Sequence, residues 1–111
     1  MHENPYFQGM FVVIYQFDVR EGKEDDFKTA WKALTELILK FENSLGSRLH
    51  HENGQRYIAY AQWHSKEQWE NAGNNLPEEA AKFRETMKYS CTNIQTIHTL
   101  KTIDDLLLTK S

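Results

Sequence analysis

Apolar and polar positions along the chain follow two periods, and the switches between them mark out the elements. Phe11 to Val19 (FVVIYQFDV) is rich in β-branched and aromatic residues, lacks glycine and proline, and predicts a strand. Nearly every position from Phe11 to Tyr15 is apolar, so both faces of that strand need cover. A polar break, Arg20-Glu21-Gly22-Lys23, follows. Phe27, Trp31, Leu34, Ile38 and Phe41 then recur at steps of four, three, four and three, which predicts one buried face of a helix over roughly 23–43. Glu24, Asp25 and Asp26 at its start and Lys40 near its end suit the helix dipole, and Gly46 lies in the stop.

Ser47 to Glu52 predicts a second strand, Asn53-Gly54 a hairpin turn, and Arg56 to Trp63 the returning strand. Ser65-Lys66-Glu67-Gln68 is a capping-box pattern that opens a short helix through Trp69 and Ala72, and Gly73-Asn74-Asn75 breaks it. Pro77-Glu78-Glu79 starts another helix, whose buried face uses Ala80, Phe83 and Met87 and leaves Arg84 beside them. Thr92 to Leu100 predicts the last strand. Beyond it, Thr102-Ile103-Asp104-Asp105 either caps a terminal helix through Leu108 or continues as extended chain.

The main order, strand, helix, strand, strand, helix, strand, is the split β-α-β of an α+β domain. The expected fold is therefore ferredoxin-like β-α-β-β-α-β, a four-stranded antiparallel sheet with helices on one face. Two helices cover only one face, yet Phe11–Tyr15 and Arg56–Trp63 are apolar on both; Ile58 and Tyr60 fall opposite Ala59, Ala61 and Trp63. An uncovered apolar face of this size calls for a partner. The simplest partner is a second copy, sheet against sheet, and a monomer in sizing chromatography or light scattering would contradict this homodimer.

Composition narrows the setting. With 40% hydrophobic, 26% charged and 13% aromatic residues in 111, the chain has the profile of one folded domain. Residues 1–9 read as an expression-tag remnant: Glu3-Asn4-Pro5-Tyr6-Phe7-Gln8-Gly9 resembles a tobacco-etch-virus protease site, with proline where that site carries leucine. The domain is then expected over 10–111, starting at Met10, with no signal peptide. A formal charge of -3 gives no electrostatic reason to expect nucleic acid, and the apolar runs are too short for a bilayer, so no membrane is expected. The one cysteine, Cys91, excludes an internal disulfide and a Cys-pair zinc site; a reducing, cytoplasmic location is the simplest setting.

Three stretches carry a resemblance: Val19 to Phe27 (VREGKEDDF), Gly46 to His50 (GSRLH), and above all Tyr57 to Trp69 (YIAYAQWHSKEQW). They resemble the antibiotic biosynthesis monooxygenase (ABM) family, from Met10 to about Asp105. The resemblance implies a dimeric α/β barrel. It also implies a small aromatic or quinone-like molecule bound between sheet and helices, and oxygenation of it as a cofactor-independent monooxygenase, with no metal or flavin. A non-catalytic binding or sensing module of the same fold is the alternative. Haem degradation, the activity of another branch, ranks below both, because Lys66 to Tyr89 holds no histidine to ligate iron.

Within that frame Trp63 either fills the core or lines the cleft, where its indole can stack on a planar ligand or donate its N–H to a phenolate. By resemblance to the quinol-oxidising relatives, Arg84 accompanies Trp63 and holds substrate oxygen or developing negative charge; Ala59 stands where those relatives carry asparagine. Trp63 and Arg84 are the catalytic candidates, with Tyr15, Tyr60, Phe83 and Met87 as substrate-binding candidates and a tyrosine or histidine as proton acceptor. Trp31 and Trp69 read as packing. His50 and His51 are adjacent in a strand and point to opposite faces; with His64 and His98 they lack the acidic partners of a metal site, so no metal is expected.

Overall fold

The computed structural model describes residues 10–108, so the tag expectation for residues 1–9 lies outside the described residues. The order is β1 (Phe11–Val19), α1 (Glu24–Glu42), β2 (Gly46–Asn53), β3 (Arg56–Trp63), α2 (Lys66–Glu70), α3 (Glu79–Ser90) and β4 (Cys91–Lys101). The strands form one antiparallel sheet in the order β2-β3-β1-β4, the arrangement of the ferredoxin-like fold.

The period of two along β1 and β3 decides what is buried. Phe11, Val13, Phe17 and Val19 of β1 and Tyr57, Ala59, Ala61 and Trp63 of β3 are buried on the helix-bearing face. Phe27 of α1 lies at the centre, fully buried, with its ring 4.9 Å from Phe17 and 5.5 Å from Tyr57. Ala30 completes this contact, and Met87 of α3 closes it from the other side. The α1 stripe departs from the expected one at its end: Phe41 is 41% exposed, and Glu42, one residue on, is buried instead. Stepping four from Ile38 reaches 42 and not 41, and the loop after α2 needs a carboxylate there. Glu42 Oε1 accepts from the backbone N–H of Gly73 at 3.1 Å and of Asn75 at 2.8 Å.

The junctions are fixed by side chains. Ser65 caps α2 by accepting from Gln68 N–H at 3.0 Å, while Gln68 Oε1 accepts from His64 N–H at 2.7 Å. Gln68 Nε2 also donates to the carbonyls of Glu42 and Asn43, at 3.1 and 2.9 Å, tying α2 to the end of α1. The hairpin loop is Gly54-Gln55, one residue later than expected, because Asn53 still pairs with Arg56 after a shift in register past His51. The terminal segment, residues 102–108, forms no helix; Thr102 N–H donates to Met10 carbonyl at 3.2 Å.

Among the described residues no helix covers the second face of the sheet. Val12, Ile14, Ile58 and Tyr60 lie on it, with Leu100 of β4 opposite Val12. A polar network borders it: Asp18 accepts from Arg56 Nε at 3.0 Å and from Asn93 at 3.3 Å, and the guanidinium holds the Asp18 carboxyl below the usual carboxylate range. Among the described residues no helix is long and apolar enough to cross a membrane.

Candidate functional site

A cavity of about 220 Å³ lies between the helix-bearing face of the sheet and α1, lined by Tyr15, Trp31, Leu34, Thr35, Ile38, Ser47, Ala61, Trp63, Met87 and Ile94, among others. Its origin is in a small residue of β3: Ala61 leaves a hollow beside the large Trp63 ring, and half-buried α1 side chains face it. Among the described residues the lining includes hydroxyl groups but no acid, histidine, lysine or arginine. Tyr15, Ile38 and Trp63 also line a second, wider cleft of about 500 Å³. Trp69, Glu70, Ala72, Gly73, Leu76 and Arg84 complete that outer cleft.

Trp63 therefore stands between the two hollows. It is 4% exposed, and its indole Nε1 is buried without a hydrogen-bond partner among the described residues. A buried donor left unpaired costs about 1–3 kcal/mol. The only other such side-chain group among the described residues is the Ser90 hydroxyl, at the junction of α3 and β4 and outside both linings. Tyr15 differs: its hydroxyl accepts from Trp69 Nε1 at 2.8 Å. Burial pushes the Tyr15 hydroxyl above the ordinary phenol range, an effect that the Trp69 bond only partly offsets, so at neutral pH it is a neutral phenol and not a base.

Arg84 is exposed at the outer rim. A Cβ on Gly73 would sit 3.1 Å from an Arg84 guanidinium nitrogen, and Gly73 has φ +105, so a glycine here both permits the turn and leaves room for the guanidinium. None of the described ion pairs involves Arg84. It is thus an available cation at the mouth of an apolar hollow.

The sequence candidates separate accordingly. Trp63, Tyr15 and Met87 line the inner cavity, and Trp63, Tyr15 and Arg84 meet at the outer cleft. Phe83 packs against the core instead of lining either hollow. Tyr60 is not brought to this site: pairing with Ile14 and Arg48, it lies on the opposite face of the sheet, where it lines a cleft with Val12, Leu100 and the terminal segment. The strand alternation that buries Trp63 dictates that placement. His50, His51, His64 and His98 lie outside both linings; His51 Nε2 contacts the Gly54 carbonyl at 2.9 Å and its ring lies 4.8 Å from Tyr57. Among the described residues no three His, Cys, Asp or Glu side chains converge on a common point. Cys91 is buried, and burial together with the nearby Asp18 charge pushes its thiol up to about 11, which keeps it from acting as a nucleophile. Sequence reasoning missed Trp69, read as packing, and Glu42, which holds the loop behind the cleft. The spacing of Trp63 and Trp69 carries no signal that the second indole reaches Tyr15.

Three solved structures place this geometry among known folds. SnoaB, a cofactor-independent oxygenase from Streptomyces nogalater, superposes with a TM-score of 0.72 at 11% identity, over 88% of this chain and 97% of its own. A candidate antibiotic biosynthesis monooxygenase from Caulobacter crescentus gives 0.73 at 17% identity, over 89% and 94%. Another, from Bordetella bronchiseptica, gives 0.69 at 20% identity, over 86% and 99%. These likenesses establish a shared fold. A comparison with curated proteins gave no match. The model of the family described as antibiotic biosynthesis monooxygenase matches residues 10–88, most of the chain, and the protein belongs to that family.

Proposed function

We propose that the protein is a cofactor-independent monooxygenase that takes a planar, electron-rich quinol or phenol into the cavity beneath Trp63. The observation that carries this reading is the unpaired, buried indole N–H of Trp63 in a residue that lines both hollows. The nitrogen is closed to solvent in the ligand-free protein, so the Trp63 ring has to turn for a ligand oxygen in the cavity to supply the missing acceptor. The apolar lining suits a ring, and Arg84 at the rim supplies positive charge for an ionised oxygen or an anionic substituent.

The inner lining has no proton acceptor of ordinary strength, and Tyr15 is held neutral. The substrate's own ionisation then takes the place of a general base, with Trp63 and Arg84 favouring the phenolate. The ionised ring gives its electrons to dioxygen. For a hydroquinone the balance closes without a further reductant: quinol plus dioxygen gives hydroxyquinone plus water. One ring C–H becomes C–OH, and the second oxygen atom leaves as water. The protein orients the ring, stabilises the anion and excludes bulk water.

The charge-free inner lining also favours a second reading, a binding or sensing module that holds the same ligands without turnover. Dissolved-oxygen uptake with a panel of hydroquinones separates the two. Uptake above the blank, reduced about tenfold or more in Arg84→Ala, supports the oxygenase. No uptake, with thermal stabilisation by the same ligands retained, supports the module. The helix-free sheet face, where Val12, Ile14, Ile58 and Tyr60 lie and the terminal segment gives partial cover, further supports the proposal that two copies pair through it. A cytoplasmic setting completes the proposal.

A further inference from the structure

Trp69 holds Tyr15 from outside the cavity, through an indole N–H that donates to the phenolic oxygen at 2.8 Å. An indole N–H is a donor only, so this bond fills an acceptor position of Tyr15 and turns the hydroxyl proton away from Trp69. Trp69 is itself fixed. Its helix is capped by Ser65, its ring packs 5.7 Å from Phe11, and the neighbouring Gln68 is bonded to the end of α1. Tyr15 is set by the pairing of β1 with Ala59 and Thr96. Among the described residues no acceptor takes the Tyr15 hydroxyl proton, and the residue lines both hollows beside Trp63.

We propose that Trp69 is a positioning residue that fixes Tyr15 as a hydrogen-bond donor to the ligand, so that the Tyr15 O–H and the Trp63 N–H together select an oxygen that only accepts, a quinone carbonyl or a phenolate, in preference to a neutral hydroxyl. This rests on the ligand reading of the cavity given above. The suppressed ionisation of the buried Tyr15 hydroxyl agrees with it, because a donor that stays protonated at neutral pH keeps its direction.

The test is a double-mutant cycle of Trp69→Phe and Tyr15→Phe, read by binding of 2-hydroxy-1,4-naphthoquinone and by the indole N–H signals of 15N-labelled protein. In ligand-free protein, Tyr15→Phe is expected to move the Trp69 indole resonance, because its acceptor is gone. Trp69→Phe is expected to weaken naphthoquinone binding about tenfold in the wild-type background, and not at all in the Tyr15→Phe background. Equal losses in both backgrounds would reduce Trp69 to packing and overturn the proposal, as would an unmoved Trp69 resonance in Tyr15→Phe. Tyr15→Phe removes one oxygen atom and reads the pair through NMR even where Trp69→Phe fails to fold. Absence of naphthoquinone binding to the wild-type protein would instead overturn the ligand reading, a result distinct from additive losses.

Discussion

Trp63→Phe is expected to cost ligand affinity about tenfold to a hundredfold while leaving the ligand-free protein within about 1 kcal/mol of wild type. Two opposed terms produce the second half of that result. Trimming a buried indole to a phenyl ring gives up packing on the order of 1–2 kcal/mol. It also removes the unpaired N–H, whose burial costs about 1–3 kcal/mol. With ligand bound the second term reverses, since the wild-type N–H then has an acceptor and the phenylalanine has no donor to offer it. Thermal melts with and without 2-hydroxy-1,4-naphthoquinone read both halves at once. A core-filling role for Trp63 predicts a different outcome, a large loss of ligand-free stability with no specific loss of the ligand response.

Phe27→Ala is expected to destabilise the domain by about 3–5 kcal/mol, a large share of the roughly 5–15 kcal/mol that holds a domain together. Phe27 is fully buried between Phe17 and Tyr57, and no neighbour is free to collapse into the space because the sheet fixes both rings. For a domain of this size the midpoint of thermal unfolding should fall by about 15–25 °C. Phe41→Ala on the same helix is expected to cost no more than about 1 kcal/mol, since Phe41 is 41% exposed and its ring faces Lys40 Nζ at 5.4 Å. Urea denaturation of the two variants checks the contrast. Equal losses would mean that the helical stripe buries Phe41 in solution and that the α1 register is misplaced.

That contrast shows where the sequence was legible. Strong periodicity located every strand and the long helix to within a residue or two, because burial on one face of a strand or helix is a local property of spacing. The capping box at Ser65 was readable for the same reason: both partners of each bond lie within four residues. What spacing could not supply was the end of the stripe. Glu42 is buried because the loop of Gly73 and Asn75 comes back to it from more than thirty residues away.

The site follows the same division. Trp63 stood out because alanines at 59 and 61 precede it on its own face, a pattern visible in one strand. Tyr60 was grouped with it by chemistry, although a period of two assigns it to the other side of the sheet. Trp69 went unrecognised because its partner, Tyr15, is 54 positions away and only the folded sheet brings the two within hydrogen-bond distance. Arg84 lines the outer cleft, and the reason for its reach, a glycine at 73 that leaves room for the guanidinium, belongs to a tertiary contact.

In the proposed function this cavity lets a quinol give its own electrons to dioxygen. Mass spectrometry of the product formed from a hydroquinone under 18O2, with purified protein and no added metal or flavin, tests it most directly. The expected product is the hydroxyquinone carrying one labelled oxygen atom, formed above the protein-free blank and lost in step with affinity in Trp63→Phe. Unlabelled product, or none above the blank for any hydroquinone that the protein binds, would contradict it.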